Sequence, residues 1–303
     1  MKIVVLCHFF APEIGAPAAR MYEMSKRWVE LGHEVHVVTC FPNHPTGVIP
    51  EQYKGLKYKL EIMDGIHVHR NYVYATPNKG FLKKSLGHMS FMFSSVIFSM
   101  KKIQAPDVIL ATSPTYFTMF SGYYYSLRKK ADFILEIRDL WPAAIIALGV
   151  MKEGFITNLL EKMELFFYRK SKKLVMVTES FKENVIGRGI DASKVHVITN
   201  GVDNKLFYPQ QKSQKLIETY NLENKFVVSY VGAHGLSQNL STIIEVAKIL
   251  QKDEGVVFLF VGEGAEKDLL KQLTKDYGLR NVQFIDAQNK SRIPDFYNTS
   301  DVC

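Results

Sequence analysis

Two charged residues at the end of a predicted buried strand are the first candidates for chemistry in this sequence. The apolar strand FILEI is followed by Arg138 and Asp139, which therefore lie at its carboxyl tip. Burying charged groups is costly unless they pair with each other or act on a ligand. In open parallel sheets, ligands bind at this edge. A purely structural ion pair is the alternative, but the position favours a role for both residues in a site.

Glycine turns in the second half of the chain are suited to a phosphate, because backbone amides at a helix N-terminus can approach it closely. The first turn contains Gly232 and follows the strand FVVSYV, and the second contains Gly262 and Gly264 and follows VVFLFV. Glycine is common where a strand turns into a helix, so either motif alone is a weak indication. Their predicted position opposite the crevice of the first half is what favours a phosphate site.

The elements that position these residues begin with residues 1–40. An apolar strand leads through a loop with Gly15 into an amphipathic helix, and a second strand, EVHVVT, follows. Pro17 suits the first helical position, and Gly32 suits the position just after the helix. This order predicts one βαβ unit whose loop lies at the ligand-binding edge. Strands and helices continue to alternate along the chain, which predicts an α/β protein.

Three shorter features of the first half carry specific predictions. Residues 41–51 form a loop rich in proline that contains His44, which is either an exposed loop histidine or a substrate contact. Residues 56–74 are predicted to form two strands around Asp64-Gly65, a dipeptide typical of a β-hairpin turn. Ser113, just before a predicted helix, is a candidate N-cap.

Residues 81–102 combine a broad apolar face with lysine pairs at both ends. The run between the lysines is shorter than the ~20 residues that a membrane span needs. One interpretation is an interfacial helix with its apolar face in lipid and its lysines at the headgroups. The other is a helix packed on its own sheet. We favour membrane contact because large apolar residues cover more than one face. The main stripe comprises Leu82, Leu86, Met89, Phe93, Val96 and Met100.

The net charge of +8 is concentrated in the first half of the chain. Residues 1–209 hold 27 Lys and Arg against 18 Asp and Glu, whereas residues 210–303 hold 11 against 12. The basic half favours an anionic partner such as lipid or a phosphorylated substrate, and no nucleic-acid-binding motif accompanies it. The three cysteines lack metal or redox spacing and no signal peptide precedes the first strand, so we expect a reduced, cytoplasmic setting.

These features combine in a resemblance that covers nearly the whole chain. The sequence resembles glycosyltransferase family 4, whose retaining, nucleotide-sugar-dependent enzymes have the GT-B fold of two Rossmann-like domains. We therefore expect an acceptor-side domain over residues 1–205 and a nucleotide-sugar-binding domain over residues 206–303. FPNHPTG and RDLWP are similar to the subgroup that adds N-acetyl-fucosamine or related sugars in O-antigen and capsule synthesis. The other stretches that carry the resemblance are FFAPEIGAPAAR, ELGHEVHVVT, TNGVD, YVGAHGLSQNL, FVGEGAEK and FYNTSDVC.

The resemblance implies a reaction and its partners. A sugar would pass from a nucleotide sugar, with UDP as the expected nucleotide, to a saccharide on a polyprenyl diphosphate. The anomeric configuration would be retained, and no metal or other cofactor is expected. Positioning and charge stabilisation of the leaving diphosphate would carry most of the acceleration. The lipid-linked acceptor would place the protein on the inner face of the cell membrane, bound through residues 81–102.

Roles for single residues also follow from the resemblance. Arg138 and Asp139 would be catalytic, and Arg138 stands where many relatives have a histidine. Both cations with which many relatives clamp the diphosphate are missing, so either hydrogen bonds from His234, Gln238 and the local backbone or Arg138 from across the cleft would offset the diphosphate charge. The residues expected at the donor are Gly15, Ala16, Gly232, His234, Gly235, Gln238, Gly262, Gly264 and Gln288, and those on the acceptor side are Arg20 and His44.

The resemblance also implies that the chain is incomplete. Family members continue beyond the position of Cys303 with a glutamate pair that holds the donor sugar and the ribose. We therefore expect the second domain to be truncated and residues 1–303 alone to be inactive. Two alternatives stay open: a nucleotide-sugar 2-epimerase of the same fold, and a non-catalytic membrane-surface protein that keeps only the acceptor-side domain. Dependence on a lipid-linked acceptor and binding of UDP-sugars would distinguish them.

Overall fold

The computed structural model describes residues 1–44, 46–76, 81–113 and 115–303. The chain divides into two compact units, Met1–Asn200 and Gly201–Cys303. Each unit places helices on both faces of a sheet, and the strands are parallel except for one edge strand of the first unit. The predicted α/β class with two Rossmann-like domains is confirmed.

The first unit is built on an eight-stranded sheet. Its strands are β1 (Lys2–Leu6), β2 (Glu34–Cys40), β3 (Tyr58–Met63), β4 (Ile66–Asn71), β5 (Val108–Thr112), β6 (Asp132–Ile137), β7 (Lys173–Met176) and β8 (Val195–Val197). Their order across the sheet is β3-β4-β2-β1-β5-β6-β7-β8, and β3 alone runs antiparallel to its neighbour. The carboxyl ends of β1, β2, β5 and β6 therefore meet along one edge.

Helices cover both faces of this sheet. They are α1 (Ala16–Glu30), α2 (Phe81–Ser94), α3 (Thr118–Lys129), α4 (Ala143–Ala147), α5 (Phe155–Lys170) and α6 (Glu179–Gly187). Val5 of β1 packs with Met21 of α1 on one face. Val4 packs with Met119 of α3 and Phe167 of α5 on the other. This alternation is what a strand buried on both faces requires.

Two local predictions are confirmed by the backbone. Gly32 follows the end of α1 with φ +83°, although Pro17 occupies the second helical position rather than the first. β3 and β4 form the expected hairpin, and Asp64 and Gly65 have φ +47° and +78°. Positive φ at both positions is what a two-residue type I′ turn needs, because its twist matches that of the strands.

Residues 81–102 form a helix whose buried side is largely polar. α2 continues into a π-helical turn over Ser95–Ser99 and a 3₁₀ turn over Met100–Lys102. The Ser94 hydroxyl donates to the Tyr72 carbonyl oxygen at 2.6 Å, and the Ser99 hydroxyl donates to Asn71 Oδ1 at 2.7 Å. The helix therefore packs on its own domain through small side chains that bond to the segment around the end of β4.

Much of the apolar side of the same helix points away from the domain. Leu82, Leu86, Phe93 and Ile97 are between 53% and 78% exposed, whereas Val96, Met100 and Phe91 contact the core. The predicted stripe is thus divided between the core and the surface: part of it packs on its own domain, and contact of the exposed part with a membrane stays a prediction. Among the described residues, no helix is long and apolar enough to cross a membrane.

The second unit contains a smaller parallel sheet. Its elements are α7 (Gln214–Tyr220), β9 (Phe226–Val231), α8 (Ser241–Ile249), β10 (Val256–Val261), α9 (Lys267–Asp276), β11 (Val282–Ile285) and α10 (Ile293–Thr299). The strand order is β11-β10-β9. Phe296 of α10 packs on one face and Ile244 of α8 on the other, so both faces of the sheet are covered.

Gly262 and Gly264 are required by a close approach of two loops. Gly262 has φ +146°, and a Cβ there would lie 1.9 Å from the Gly232 carbonyl oxygen. A Cβ at Gly264 would lie 2.2 Å from the carbonyl oxygen of His234. The loops after β9 and β10 therefore fit together only when these two positions carry no side chain.

Replacing either glycine with alanine should destabilise the second unit, because backbone of the facing loop would have to move. We expect Gly262→Ala and Gly264→Ala each to lower the free energy of unfolding by about 1–3 kcal/mol, measured by urea denaturation followed by circular dichroism. Gly201→Ala is the matched control, because nothing lies within 4 Å of a Cβ there. Unchanged stability in both loop variants would contradict the close approach.

Candidate functional site

A buried carboxylate, Glu136 of β6, organises the ligand-binding edge of the first unit. Glu136 is 1% exposed. Its Oε2 accepts a hydrogen bond from Thr112 Oγ1 at 2.8 Å, and its Oε1 accepts one from Arg20 Nε at 3.0 Å. A buried carboxylate is stable only with such partners. These bonds fix α1 against the ends of β5 and β6.

Arg20, predicted to lie on the acceptor side, directs its guanidinium at other residues of the first unit. Its guanidinium donates to the carbonyl oxygens of Ile198 and Thr199 and to Asn200 Oδ1, all at 3.0–3.1 Å. Its Nη2 also contacts Glu136 Oε1 at 2.9 Å. With the Nε bond to Glu136, four of the five N–H donors of Arg20 form hydrogen bonds. Arg20 therefore holds the last residues of the first unit in place.

Arg138 lies beside Glu136, close to the first turn of α1. Its Nε donates to the Ser113 carbonyl oxygen at 2.6 Å, and its Nη1 donates to the Pro17 carbonyl oxygen at 3.4 Å. Ser113 does not cap a helix as predicted, because its hydroxyl accepts a bond from the Arg138 amide at 2.9 Å. Burial lowers the pKa of the Arg138 guanidinium, and the Glu136 charge opposes that shift. A cation is therefore held in place at this edge.

Asp139 does not form the structural ion pair with Arg138 that the sequence left open. Within the described residues, the carboxylate near Arg138 is that of Glu136, at 3.9 Å from its Nε. Asp139 is exposed as a residue, but desolvation of its carboxyl raises the pKa of Asp139, and the Arg138 charge partly offsets the shift. The side chain is thus accessible to a ligand at the tip of β6.

The loop with Gly15 and Ala16 lies between the end of β1 and the start of α1, as predicted. Gly15 has φ +148°, and a Cβ there would meet only Pro17 Cδ, at 3.8 Å. The backbone angle, rather than crowding, therefore favours glycine. Both residues are exposed, and the first turn of α1 contains no acidic residue. Its backbone amides are suited to an anion.

Glu13, which the sequence analysis did not identify, fastens this loop to the loop after β2. Its Oε1 accepts hydrogen bonds from the amides of Asn43 and His44, both at 2.9 Å, and its Oε2 accepts one from the Phe10 amide at 3.2 Å. Burial raises the pKa of Glu13, and the backbone bonds oppose the shift. An acidic residue in an otherwise apolar loop was the available signal. The result is that His44 lies next to the end of β1.

His44 lines a cavity of about 60 Å³ at this edge. His8, which follows β1, and Lys84 and His88 of α2 line the same cavity. Of these four residues, only His44 was predicted from the sequence, because the other three lie at the end of a predicted strand and on a predicted apolar helix. No cluster of three or more His, Cys, Asp or Glu side chains among the described residues is placed to hold a metal ion.

The predicted donor residues of the second unit lie together at the carboxyl ends of its strands. Gly232, His234, Gly235 and Gln238 follow β9, Gly262 and Gly264 follow β10, and Gln288 follows β11. Gln238 is exposed. The side-chain amide of Gln288 donates from its Nε2 to the Asp286 carbonyl oxygen at 2.9 Å. The structure therefore groups these residues along one edge of the sheet.

His234 holds the two glycine loops together through its backbone. Its amide donates to the Glu263 carbonyl oxygen, and its own carbonyl oxygen accepts from the Glu266 amide, both at 2.9 Å. Its ring lies near the rings of Phe260 and Phe284, with neither nitrogen bonded to a described residue. The side chain is fully buried, and burial lowers its pKa. In this conformation the His234 ring therefore cannot form a hydrogen bond to a nucleotide-sugar donor.

Lys267, at the start of α9, is a cation at the same edge that the sequence analysis did not single out. It is 5% exposed, and its Nζ donates to Glu263 Oε1 at 2.6 Å and to Asp286 Oδ1 at 2.8 Å. Burial lowers the pKa of Lys267, but the bonds to Asp286 and Glu263 outweigh burial and raise it. Two carboxylates already neutralise this charge, so it fixes the loops rather than offering a free cation.

Comparison with known proteins places this geometry among enzymes that transfer sugars. The chain is 28% identical over 301 residues to the putative colanic acid biosynthesis glycosyl transferase WcaI of Escherichia coli K12, which covers 97% of this chain and 74% of that protein. It is 27% identical over 188 residues to the processive diacylglycerol beta-glucosyltransferase of Staphylococcus aureus, which covers 52% and 46%.

Solved structures share the fold at lower identity. Alr3699/HepE of Anabaena, solved in complex with UDP-glucose, matches with a TM-score of 0.66 at 17% identity over 99% of this chain and 72% of that chain. Residues 18–206 match the sequence model of Glycosyltransferase Family 4, and residues 212–303 match that of Glycosyl transferases group 1. Because the match to the Family 4 model spans more than half of the residues of this chain, the chain belongs to glycosyltransferase family 4.

Proposed function

We propose that the protein transfers a sugar from a UDP-linked donor to a lipid-linked saccharide at the inner face of the cell membrane. The product would serve a bacterial surface polysaccharide such as O-antigen, capsule or exopolysaccharide, which the similarity to a colanic acid transferase supports. The observation that carries the proposal is the outward apolar side of α2 beside a basic cavity at the ligand-binding edge. A fully soluble acceptor would need no such surface.

The donor is proposed to bind to the second domain, residues 206–303. The loops after β9 and β10 present backbone amides there, and their glycines let a phosphate approach closely. The UDP-glucose bound by the Anabaena protein of the same fold supports a nucleotide sugar. The similarity of FPNHPTG and RDLWP to the N-acetyl-fucosamine subgroup suggests an amino sugar. Residues 1–205 would then hold the acceptor.

The transfer is proposed to retain the anomeric configuration without a nucleophilic side chain. The bond from the anomeric carbon to the diphosphate oxygen breaks, the acceptor hydroxyl bonds to that carbon, and its proton passes to the leaving diphosphate. Arg138 and the amides around Gly15 and Ala16 would stabilise the developing charge, and Asp139 would orient the sugar. Neither a metal nor another cofactor is part of this proposal. The anomeric configuration of the product, determined by NMR, tests retention.

The acceptor is proposed to be anchored in the membrane that α2 contacts. Leu82, Leu86, Phe93 and Ile97 would enter the headgroup region, with the flanking lysines near anionic headgroups. Burying one such side chain completely is worth about 1.5–3 kcal/mol, so several of them suffice for reversible binding. The similarity to a diacylglycerol glucosyltransferase supports a lipid acceptor.

Gly235→Asp should weaken the binding of UDP-sugars, because a carboxylate in the loop after β9 would repel the donor diphosphate. Gly235 has an ordinary φ of −107°, and an added Cβ would meet only the flexible Gln238 side chain. We expect at least about a tenfold loss of affinity, or about 1.4 kcal/mol, measured by calorimetry with UDP-N-acetylglucosamine. Gly235→Asn is the neutral control of the same shape. Equal affinity in the two variants would contradict a diphosphate site here.

The double substitution Phe93→Ser/Ile97→Ser should release the protein from membranes. Two side chains that enter the interface contribute about 1.5–3 kcal/mol each at full burial. The partition coefficient should therefore fall by at least about tenfold. Sedimentation with vesicles of phosphatidylglycerol and phosphatidylethanolamine measures this coefficient.

Phe155→Ser is the control for this experiment, because Phe155 is 83% exposed but lies on α5, outside residues 81–102. Added salt should also weaken wild-type binding, since it screens the lysine charges. Unchanged sedimentation of the double variant would remove α2 from the membrane contact. An equal loss of vesicle binding in the Phe155→Ser control would mean that the membrane contact extends beyond residues 81–102.

A further inference from the structure

A cavity at the carboxyl ends of β1 and β2 collects four basic side chains. They are His8 after β1, His44 in the loop after β2, and Lys84 and His88 on α2. The cavity measures about 60 Å³, which has room for several ordered waters or for one group the size of a phosphoryl. None of the described residues that line it is acidic.

The ring of His8 is held in a fixed orientation but lacks a partner. It is 5% exposed and packs edge-on against His88 and Phe91, with ring centroids 4.5 Å and 5.3 Å away. Its Nδ1 is buried and bonds to none of the described residues. A buried polar atom without a hydrogen bond is destabilising. A ligand that bonds to this nitrogen would remove that penalty, so His8 points to an occupant of the cavity.

The charges around the cavity favour an anion. Burial lowers the pKa of His8 and of His44, and it lowers the pKa of His88 to about 4. The three rings are therefore neutral near pH 7, and each keeps one N–H donor. Lys84 is exposed as a residue, but desolvation of its ammonium group lowers its pKa, and none of the described residues that line the cavity is a carboxylate that could neutralise it. A cation among N–H donors suits phosphoryl oxygens.

A second cavity, of about 380 Å³, is lined mostly by residues 53–57, and three segments that border the first cavity complete it. The loop after β2 contributes Ile49, the segment after β4 contributes Tyr72, and the end of the helix contributes Phe98. Its walls are mainly apolar, and Lys54 and Lys57 also line it. Phe98 follows His88 by ten residues, about 15 Å along a helix. The polar and the apolar cavity both border the loop after β2 and the segment after β4.

We propose that the cavity of His8, His44, Lys84 and His88 binds a phosphoryl group of the lipid-linked acceptor. The apolar cavity would then receive the first part of its hydrocarbon chain. This inference rests on the proposed lipid-linked acceptor and names the residues that recognise its diphosphate. A saccharide joined to that diphosphate would lie at the carboxyl ends of β1 and β2, beside the loop with Gly15.

Binding of farnesyl diphosphate tests the inference, measured by calorimetry with UDP present to occupy a nucleotide site. Lys84→Met should weaken this binding at least about tenfold, because it removes the cation of the cavity. Lys83→Met is the matched control and should bind like the wild type, since Lys83 is exposed like Lys84 but does not line the cavity. The imidazole ¹⁵N signals of His8, His44 and His88 should shift on binding both in the wild type and in the Lys83→Met control.

Two further probes separate the parts of the ligand. Farnesol, which lacks the diphosphate, should bind at least about tenfold more weakly than farnesyl diphosphate if the phosphoryl group is recognised. Inorganic pyrophosphate should bind more weakly than farnesyl diphosphate but depend on Lys84 in the same way. Pyrophosphate that binds as tightly as the lipid would overturn the assignment to a lipid-linked ligand.

Equal affinity for farnesyl diphosphate in Lys84→Met and in the wild type would overturn the phosphoryl site. A failure of the proposed phosphoryl site is distinguishable from a failure of the proposed function. Normal UDP-sugar binding without Lys84-dependent lipid binding would remove this inference alone. Lys84-dependent lipid binding in a protein that binds no UDP-sugar would support the cavity and remove the proposed donor.

Discussion

The buried carboxylate of Glu136 is the interaction on which the ligand-binding edge of the first unit depends. Removed from water, its charge is stable because Arg20 and Thr112 donate hydrogen bonds to it. The same carboxylate lies 3.9 Å from the Arg138 guanidinium. Removing one partner of a buried ion pair typically costs about 3–5 kcal/mol, because the other charge stays behind. One side chain therefore fixes a helix, two strand ends and the candidate catalytic cation.

Local structure could be predicted from the sequence, but this carboxylate could not. The hairpin turn and the end of α1 were predicted correctly, because those turns need residues that tolerate positive φ. Glu136 stands in an apolar run, and Arg20 is 116 positions away along the chain. The sequence left open an ion pair between Arg138 and Asp139, as the alternative to a role for both in a site. Successive residues of a strand point to opposite faces, so Arg138 meets Glu136, two residues earlier, instead.

The helix over residues 81–102 shows why an apolar stripe does not identify the buried side. Periodicity gives the phase of the stripe, whereas the surface that the helix packs against decides which side is buried. Here the segment at the end of β4 offers hydrogen-bond acceptors, and small serines approach it closely. The basic cavity was equally hidden, because His8, His44 and His88 are distant in sequence and only the sheet order brings them together.

Arg20 also anchors the end of the first unit. By bonding to Ile198, Thr199 and Asn200, it extends the rigid part of the first unit to its last residue. The first backbone bonds free of these anchors are those of Gly201, where a side chain would meet nothing within 4 Å. The charge that shapes the ligand-binding edge therefore also determines, through Arg20, where the held part of the first unit ends.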